Sequence, residues 1–297
     1  MSAGPRISIV TPSFNHERFL LQTVRSILEQ DYANVENMVI DDGSKDNSVK
    51  SLSQVRDSRL RVLAQENRGL VHVLERGFRE TTGEIMGWVN SDDMLLPGAL
   101  AKVANHFAAD PNCEFLYGDG VIIDEGNRLV RVRREIDFDR NIMLWGMCYI
   151  LQPGAFWRRR LYNQVGGVNV AFKHCMDKEL WLRFSQQTRP IHLPELLCMV
   201  RDHPATLSRK QPHVAAREDA AIREMVLGRP VRAWEARGKQ ILFRALRVAK
   251  KGVRGYYWAR PPSFWSWMCE EDRGRCASSF VRTEGNPKDS ALDRPER

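Results

Sequence analysis

Trp88-Val89-Asn90-Ser91-Asp92-Asp93 ends an apolar run in two adjacent carboxylates. The run reads as a buried strand. Successive side chains on a strand point to opposite faces, so two neighbouring aspartates at its end can serve different partners. Hard divalent cations prefer carboxylate oxygen, and Mg²⁺ typically keeps one or two protein carboxylates while phosphate and water complete its shell. The pair therefore points to a metal–diphosphate site. The competing role is a helix N-cap, because Ser91, Asp92 or Asp93 precedes Met94-Leu95-Leu96-Pro97.

Working outward, the same grammar recurs. Ile7-Ser8-Ile9-Val10 reads as a strand ending in Thr11-Pro12-Ser13-Phe14-Asn15, and Val35 to Ile40 as a strand ending in Asp41-Asp42-Gly43. Helical spacing of Phe19, Leu20, Val24, Ile27 and Leu28 predicts a helix from Glu17 to Gln30. A helix through about Arg56, a strand at Leu60 to Leu63 and a helix from Asn67-Arg68-Gly69 to about Glu80 follow. Strands alternating with helices indicate an α/β fold with a mostly parallel, Rossmann-like sheet. Ligands bind at the carboxyl ends of such strands, so the three polar clusters are expected on one rim.

Beyond a helix from Pro97 to about Ala108 come a strand at Phe115 to Asp119 and a hairpin of Val121–Ile123 with Leu129–Val132. Gly154 to Arg160 reads as a strand entering a short helix that Gly166-Gly167 ends. Met176 to Phe184 reads as a helix burying Leu180, Trp181 and Phe184, with Asp177 in its first turn.

No apolar run approaches the ~20 residues that span a bilayer, and Met1 to Arg6 lacks a signal-peptide core, which predicts a cytoplasmic protein, with the inner face of the membrane open to it through the basic helix described below. The six cysteines form no C-x-x-C pair, so reduced thiols are expected. The net charge of +8 is uneven: Arg209 to Arg260 carries fourteen Lys/Arg against four Asp/Glu. A helix from Val231 to Lys251 places Ile241, Leu242, Ala245, Leu246, Val248 and Ala249 on one arc and Lys239, Arg244, Arg247, Lys250 and Lys251 on the other. Such a basic amphipathic helix suits an anionic membrane surface, with packing on the body or a partner as the alternative. Tyr256-Tyr257-Trp258 and Phe264-Trp265-Ser266-Trp267 add interfacial aromatics. They do not alternate with the basic residues, which argues against nucleic acid. The chain divides into residues 1–208, a basic helical extension at 209–271 and a disordered tail at 272–297.

In order, Ile7 to Asn15, Ile40 to Asp46, Glu66-Asn67-Arg68-Gly69-Leu70, Ser91-Asp92-Asp93 and Met176 to Arg183 resemble the motifs of family 2 of the inverting nucleotide-sugar glycosyltransferases, of GT-A type. The resemblance covers the first ~205 residues. It implies a UDP-, GDP- or dTDP-linked sugar donor, an acceptor hydroxyl on a sugar or lipid-linked sugar in surface polysaccharide or glycolipid assembly, and Mg²⁺ or Mn²⁺. It further implies that Phe14 packs on the base beside Pro12, Asp42 accepts hydrogen bonds from the base, Arg68 lies beside base and diphosphate, and Asp92 lies near the ribose. Asp93 and His203 would bind the metal, and Asp177 would be the catalytic base. The alternatives are core packing for Phe14, a turn or cap role for Asp42, a helix-dipole carboxylate for Asp177 and a structural His203. A dinucleotide oxidoreductase is disfavoured by the missing G-x-G-x-x-G. A catalytically silent scaffold of the same fold is the remaining rival.

Overall fold

The computed structural model describes residues 4–204, 206 and 211–256. The expected boundary at residue 208, the aromatics from Tyr257 to Trp267, Cys269, Cys276 and the tail lie outside them.

Strands β1 (Ile7–Ser13), β2 (Val35–Asp41) and β3 (Leu60–Ala64) and helices α1 (Glu17–Leu28) and α2 (Ser48–Ser51) build the first half. Helix α3 (Leu70–Glu80) and strand β4 (Ile85–Trp88) complete it. The parallel order β3-β2-β1-β4 brings the carboxyl ends of β1, β2 and β4 to one edge, as the alternation predicts. Every residue of β1 and β2 is buried, which follows from helices covering both faces of a parallel sheet. Helix α3 approaches β1 so closely that a Cβ on Gly77 would lie 2.4 Å from Val10 Cγ1, which explains a glycine inside a helix.

Beyond β4 the sheet is mixed. It continues through β8 (Ala155–Arg158), β6 (Phe115–Ile123), β9 (Ile191–Arg201) and β5 (Met94–Leu95), with β7 (Leu129–Arg133) paired to β6. The expected strand at Phe115 to Asp119 and the first arm of the hairpin are one nine-residue strand, which pairs with β9 along its length through register shifts on either side of Asp119. The helix expected through Arg56 is a single turn, closed by the i→i+3 bonds from Leu52 N and Ser53 N.

Helices α4 (Ala99–Ala109), α5 (Arg159–Gln164), α6 (Met176–Gln187), α7 (Pro212–Leu227) and α8 (Ala233–Val253) complete the fold. Trp181 of α6 stacks on Phe115 at 4.7 Å and on Trp88 at 6.3 Å, with Trp157 edge-on to both tryptophans. This aromatic layer fixes α6 against the strand that ends in the aspartate pair. The basic extension packs on the same core through Ile222, Val226 and Phe243. Its last helix carries the expected two arcs in an informative orientation. Arg247 donates two bonds to buried Glu135, Lys251 lies 3.1 Å from it, and Lys250 reaches Asp139 at 2.6 Å. The basic arc thus faces the body, and the apolar arc faces out.

Candidate active site

The three strand ends meet through hydrogen bonds. Asn15 N donates to Ser44 Oγ at 2.8 Å, joining β1 to the loop after β2, and His16 Nδ1 lies 2.6 Å from Ser91 Oγ, joining β1 to β4. A cleft of about 510 Å³ opens beside this rim, walled by Asn15, His16, Phe19, Asp46 and His203; Phe14, Asp42, Arg68, Asp92, Asp93 and Asp177 are not in its wall.

Each expected site residue has a definite place. Phe14 is 45% exposed, which removes core packing as its role. Pro12 is buried within β1, opposite Ile40. Asp42 accepts from Gln65 Nε2 and Arg68 N on Oδ1 and from Gly69 N on Oδ2, at 2.8 to 2.9 Å. It therefore organises the loop entering α3, the turn role named as its alternative. Gly69 makes that loop feasible with φ at 90°. The loop presents Arg68 to solvent, and its guanidinium has no partner among the described residues.

Asp92 and Asp93 are both buried and differ sharply. Asp92 Oδ2 is 3.0 Å from His203 Nε2. Burial pushes its carboxyl up, but the His203 hydrogen bond and the nearby charges of His16 and His203 hold it below the ordinary value. Burial pushes the Asp93 carboxyl well above that range and the charge of Asp92 pushes it further, against bonds from Arg201 N at 3.0 Å and Asn90 Nδ2 at 3.3 Å. Two apposed buried carboxylates are a site that a cation relieves. Among the described residues no group of three or more His, Cys, Asp or Glu side chains could hold a metal ion. The protein would supply one or two ligands, which suits an ion whose shell is completed by diphosphate and water. His203 Nε2 is engaged by Asp92, so ligation by His203 requires Nδ1 or release of that contact.

Asp177 lies in the first turn of α6 and is partly exposed. Burial raises its carboxyl above the ordinary value, opposed by Lys178 N at 2.7 Å and the Cys148 thiol at 3.7 Å. The segment carrying Cys148 continues to Gln152, which bonds Trp88 O at 2.6 Å and Asn90 Nδ2 at 3.3 Å. Asp177 is thereby tied to the strand end that carries Asp93.

Sequence reasoning missed four residues. Arg201 is buried on the ring of Phe19, 4.5 Å from its centroid, and donates to Asp92 O, Asp124 O, Asn127 Oδ1 and Gln22 Oε1. His16 was passed over beside Asn15. Glu218 accepts from the backbone amides of Lys173, His174 and Cys175 at 2.8 to 2.9 Å, binding the turn that leads into Asp177. Its neighbour Asp219 pairs with buried Lys178 and with Arg223. A signal existed, because Glu218 and Asp219 are two of only four acids in a strongly basic segment.

A family model described as "Glycosyl transferase family 2" matches residues 8–171. The O-antigen biosynthesis protein RfbC of Myxococcus xanthus is 29% identical over 244 residues, 76% of this chain and 18% of that protein. The chain spans 18%, 36% and 35% of the length of the first three curated relatives it matches. Among solved structures, the mannosyltransferase PcManGT from Pyrobaculum calidifontis, in complex with GDP-Man and Mn²⁺, superposes with a TM-score of 0.59 at 17% identity. That match covers 92% of this chain and 81% of that one. S. aureus TarS 1-349 in complex with UDP-GlcNAc gives 0.58 at 16% identity, covering 90% and 80%. At such identity the likeness is one of fold.

Proposed function

The chain belongs to glycosyl transferase family 2, and from that premise we propose that it transfers a sugar from a nucleotide-sugar to an acceptor hydroxyl with inversion at the anomeric carbon. The observation that carries this reading is the asymmetric pair at the end of β4: Asp92 held ionised by His203, and Asp93 buried beside it. The solved relatives bind GDP-Man with Mn²⁺ and UDP-GlcNAc, which supports a nucleotide-sugar donor. The donor's nucleotide and sugar are chosen by this chain's own rim.

In this reading the exposed Phe14 ring packs on the base, and Asp42 holds the loop that carries Arg68 toward base and diphosphate. Asp92 faces the ribose. Asp93 would hold Mg²⁺ or Mn²⁺, with His203 as a second ligand, and the ion would neutralise charge developing on the departing diphosphate. Asp177, in its ionised form, accepts the acceptor hydroxyl's proton as the new C–O bond forms. Displacement from the face opposite the diphosphate inverts the anomeric centre. The acceptor is a sugar hydroxyl of a surface polysaccharide or lipid-linked glycan, by the kinship to an O-antigen biosynthesis protein.

The test is a panel of UDP-, GDP- and dTDP-sugars assayed for nucleoside diphosphate release with and without Mn²⁺. Metal-dependent release from one of them, abolished by Asp177→Asn while donor binding persists, is expected. No release from any donor with any of a set of saccharide acceptors favours the catalytically silent scaffold.

A further inference from the structure

Helix α8 is 21 residues long and shows the solvent a stripe without a charge. At about 100° per residue, Trp234, Gly238, Ile241, Leu242, Ala245, Val248, Ala249, Gly252 and Val253 fall on one contiguous arc. All are exposed, Trp234 to 71% and Ile241 to 64%. A large apolar face of this kind marks an interaction site. The helix cannot roll it inward, because its opposite face is locked to the body. Besides the pairs to Glu135 and Asp139, Arg254 pairs with Asp137, Lys239 lies 4.1 Å from the Trp145 ring centroid, and Arg244 Nε donates to Gly146 O at 3.1 Å.

The borders identify the occupant. Arg237 and Arg244 flank one side of the stripe, and Lys239 and Lys250 flank the other. Glu235, the acid nearest the stripe, is taken up by Arg229 and Lys239. A second copy of the helix would bring cations against cations along either border. An anionic lipid surface matches instead: headgroups meet exposed Arg237, which has no partner among the described residues, while Lys239, Arg244 and Lys250 stay on Trp145, Gly146 and Asp139 and the stripe enters the acyl boundary. We propose that α8 is a monolayer-inserting helix that docks this protein on an anionic bilayer through the Trp234–Ile241–Leu242–Val248 stripe. The sequence pattern alone gives the basic arc to the lipid. The structure spends most of that arc on Glu135, Asp137 and Asp139, and makes the apolar arc the binding face. Helix α8 also braces the π-helical turn Ile142–Gly146 that runs into Cys148, which touches Asp177.

The experiment is flotation of the full chain with vesicles of phosphatidylcholine and phosphatidylglycerol. The parent is expected to float, and Ile241→Asp/Leu242→Asp to lose partitioning by more than about tenfold with an unchanged melting temperature. Arg237→Glu is expected to weaken flotation by roughly fivefold or more on the anionic vesicles and little on phosphatidylcholine alone. A parent that stays in the aqueous fraction overturns the proposal, as does a double variant that floats equally. Self-association of the parent in sedimentation velocity, abolished by the double variant without any vesicle binding, overturns it in favour of a second copy. None of these outcomes depends on glycosyl transfer, so failure here is separable from failure of the enzymatic reading.

Discussion

Replacing Glu218 by alanine tests how the fold holds Asp177. The carboxylate receives three backbone amides, those of Lys173, His174 and Cys175, immediately ahead of the α6 turn carrying Asp177. A hydrogen bond to a charged acceptor contributes about 1.5–3 kcal/mol when dry. These three are at best half-buried, so water recovers much of the loss, and a net cost of about 2 kcal/mol is expected. For a chain of this size that lowers the melting temperature by roughly 3–4 °C. The kinetic effect should be larger, because an ångström of misplacement at a reacting group costs on the order of 10²-fold. Turnover is expected to fall by about 10- to 100-fold while KM for the donor stays fixed, since the donor contacts proposed above lie at the ends of β1, β2 and β4 and on the loop entering α3. Glu218→Gln, which keeps an acceptor oxygen, should recover most of kcat. The assay is nucleoside diphosphate release at saturating acceptor, with donor affinity measured separately. Unchanged kcat in a folded Glu218→Ala protein refutes the positioning role. A donor KM that rises in step with the loss of kcat refutes the division of the site into donor and acceptor sides.

Four further outcomes are expected from other contacts in the fold. With Asp177 as the proposed base, turnover needs its ionised form, and burial raises its carboxyl, so activity should fall away on acidification at a pH above the ordinary carboxylate value of about 3.9. Cys148→Ala removes a donor to the ionised form, so the acid limb of the kcat profile should move further up; a downward shift contradicts the assignment. Arg201→Met strands the carbonyls of Asp92 and Asp124 and should cost about 3 kcal/mol or more, seen as a lower denaturation midpoint at unchanged slope. Gly77→Ala forces a methyl against Val10 and should cost about 1–3 kcal/mol by the same measure, with little effect on donor affinity if the rim is untouched.

The parallel half of the sheet was legible because buried parallel strands are short apolar runs, and because the polar rim follows each run directly in sequence. Asp42, Asp92 and Asp93 are strand-end residues, so finding the strands found them. Arg201 and Glu218 were not legible in this way. Each acts on a segment distant in sequence, and only the closing of β9 and the docking of α7 bring them there. Amphipathicity gave the two faces of α8 but not which one is inside. Buried Glu135, in a stretch with no clear periodicity, decides that by drawing Arg247 and Lys251 inward. The helix expected after Asp46 shrank to one turn for a related reason. Asp46 and Ser48 bond one another and the amides of His16, Glu17 and Ser48 at its start, and Leu52 N and Ser53 N close it with i→i+3 bonds that end it after one turn.

In the proposed mechanism Asp93 holds the cation to which the donor's diphosphate binds. This assignment is tested most directly by calorimetric titration of UDP, GDP and dTDP into the protein with and without Mn²⁺, repeated with Asp93→Ala. One nucleotide should bind the parent more tightly with Mn²⁺, and that enhancement should vanish in the variant while the weak metal-free binding through the Phe14 and Asp42 side remains. An Asp93→Ala protein that keeps the full Mn²⁺ enhancement contradicts the account.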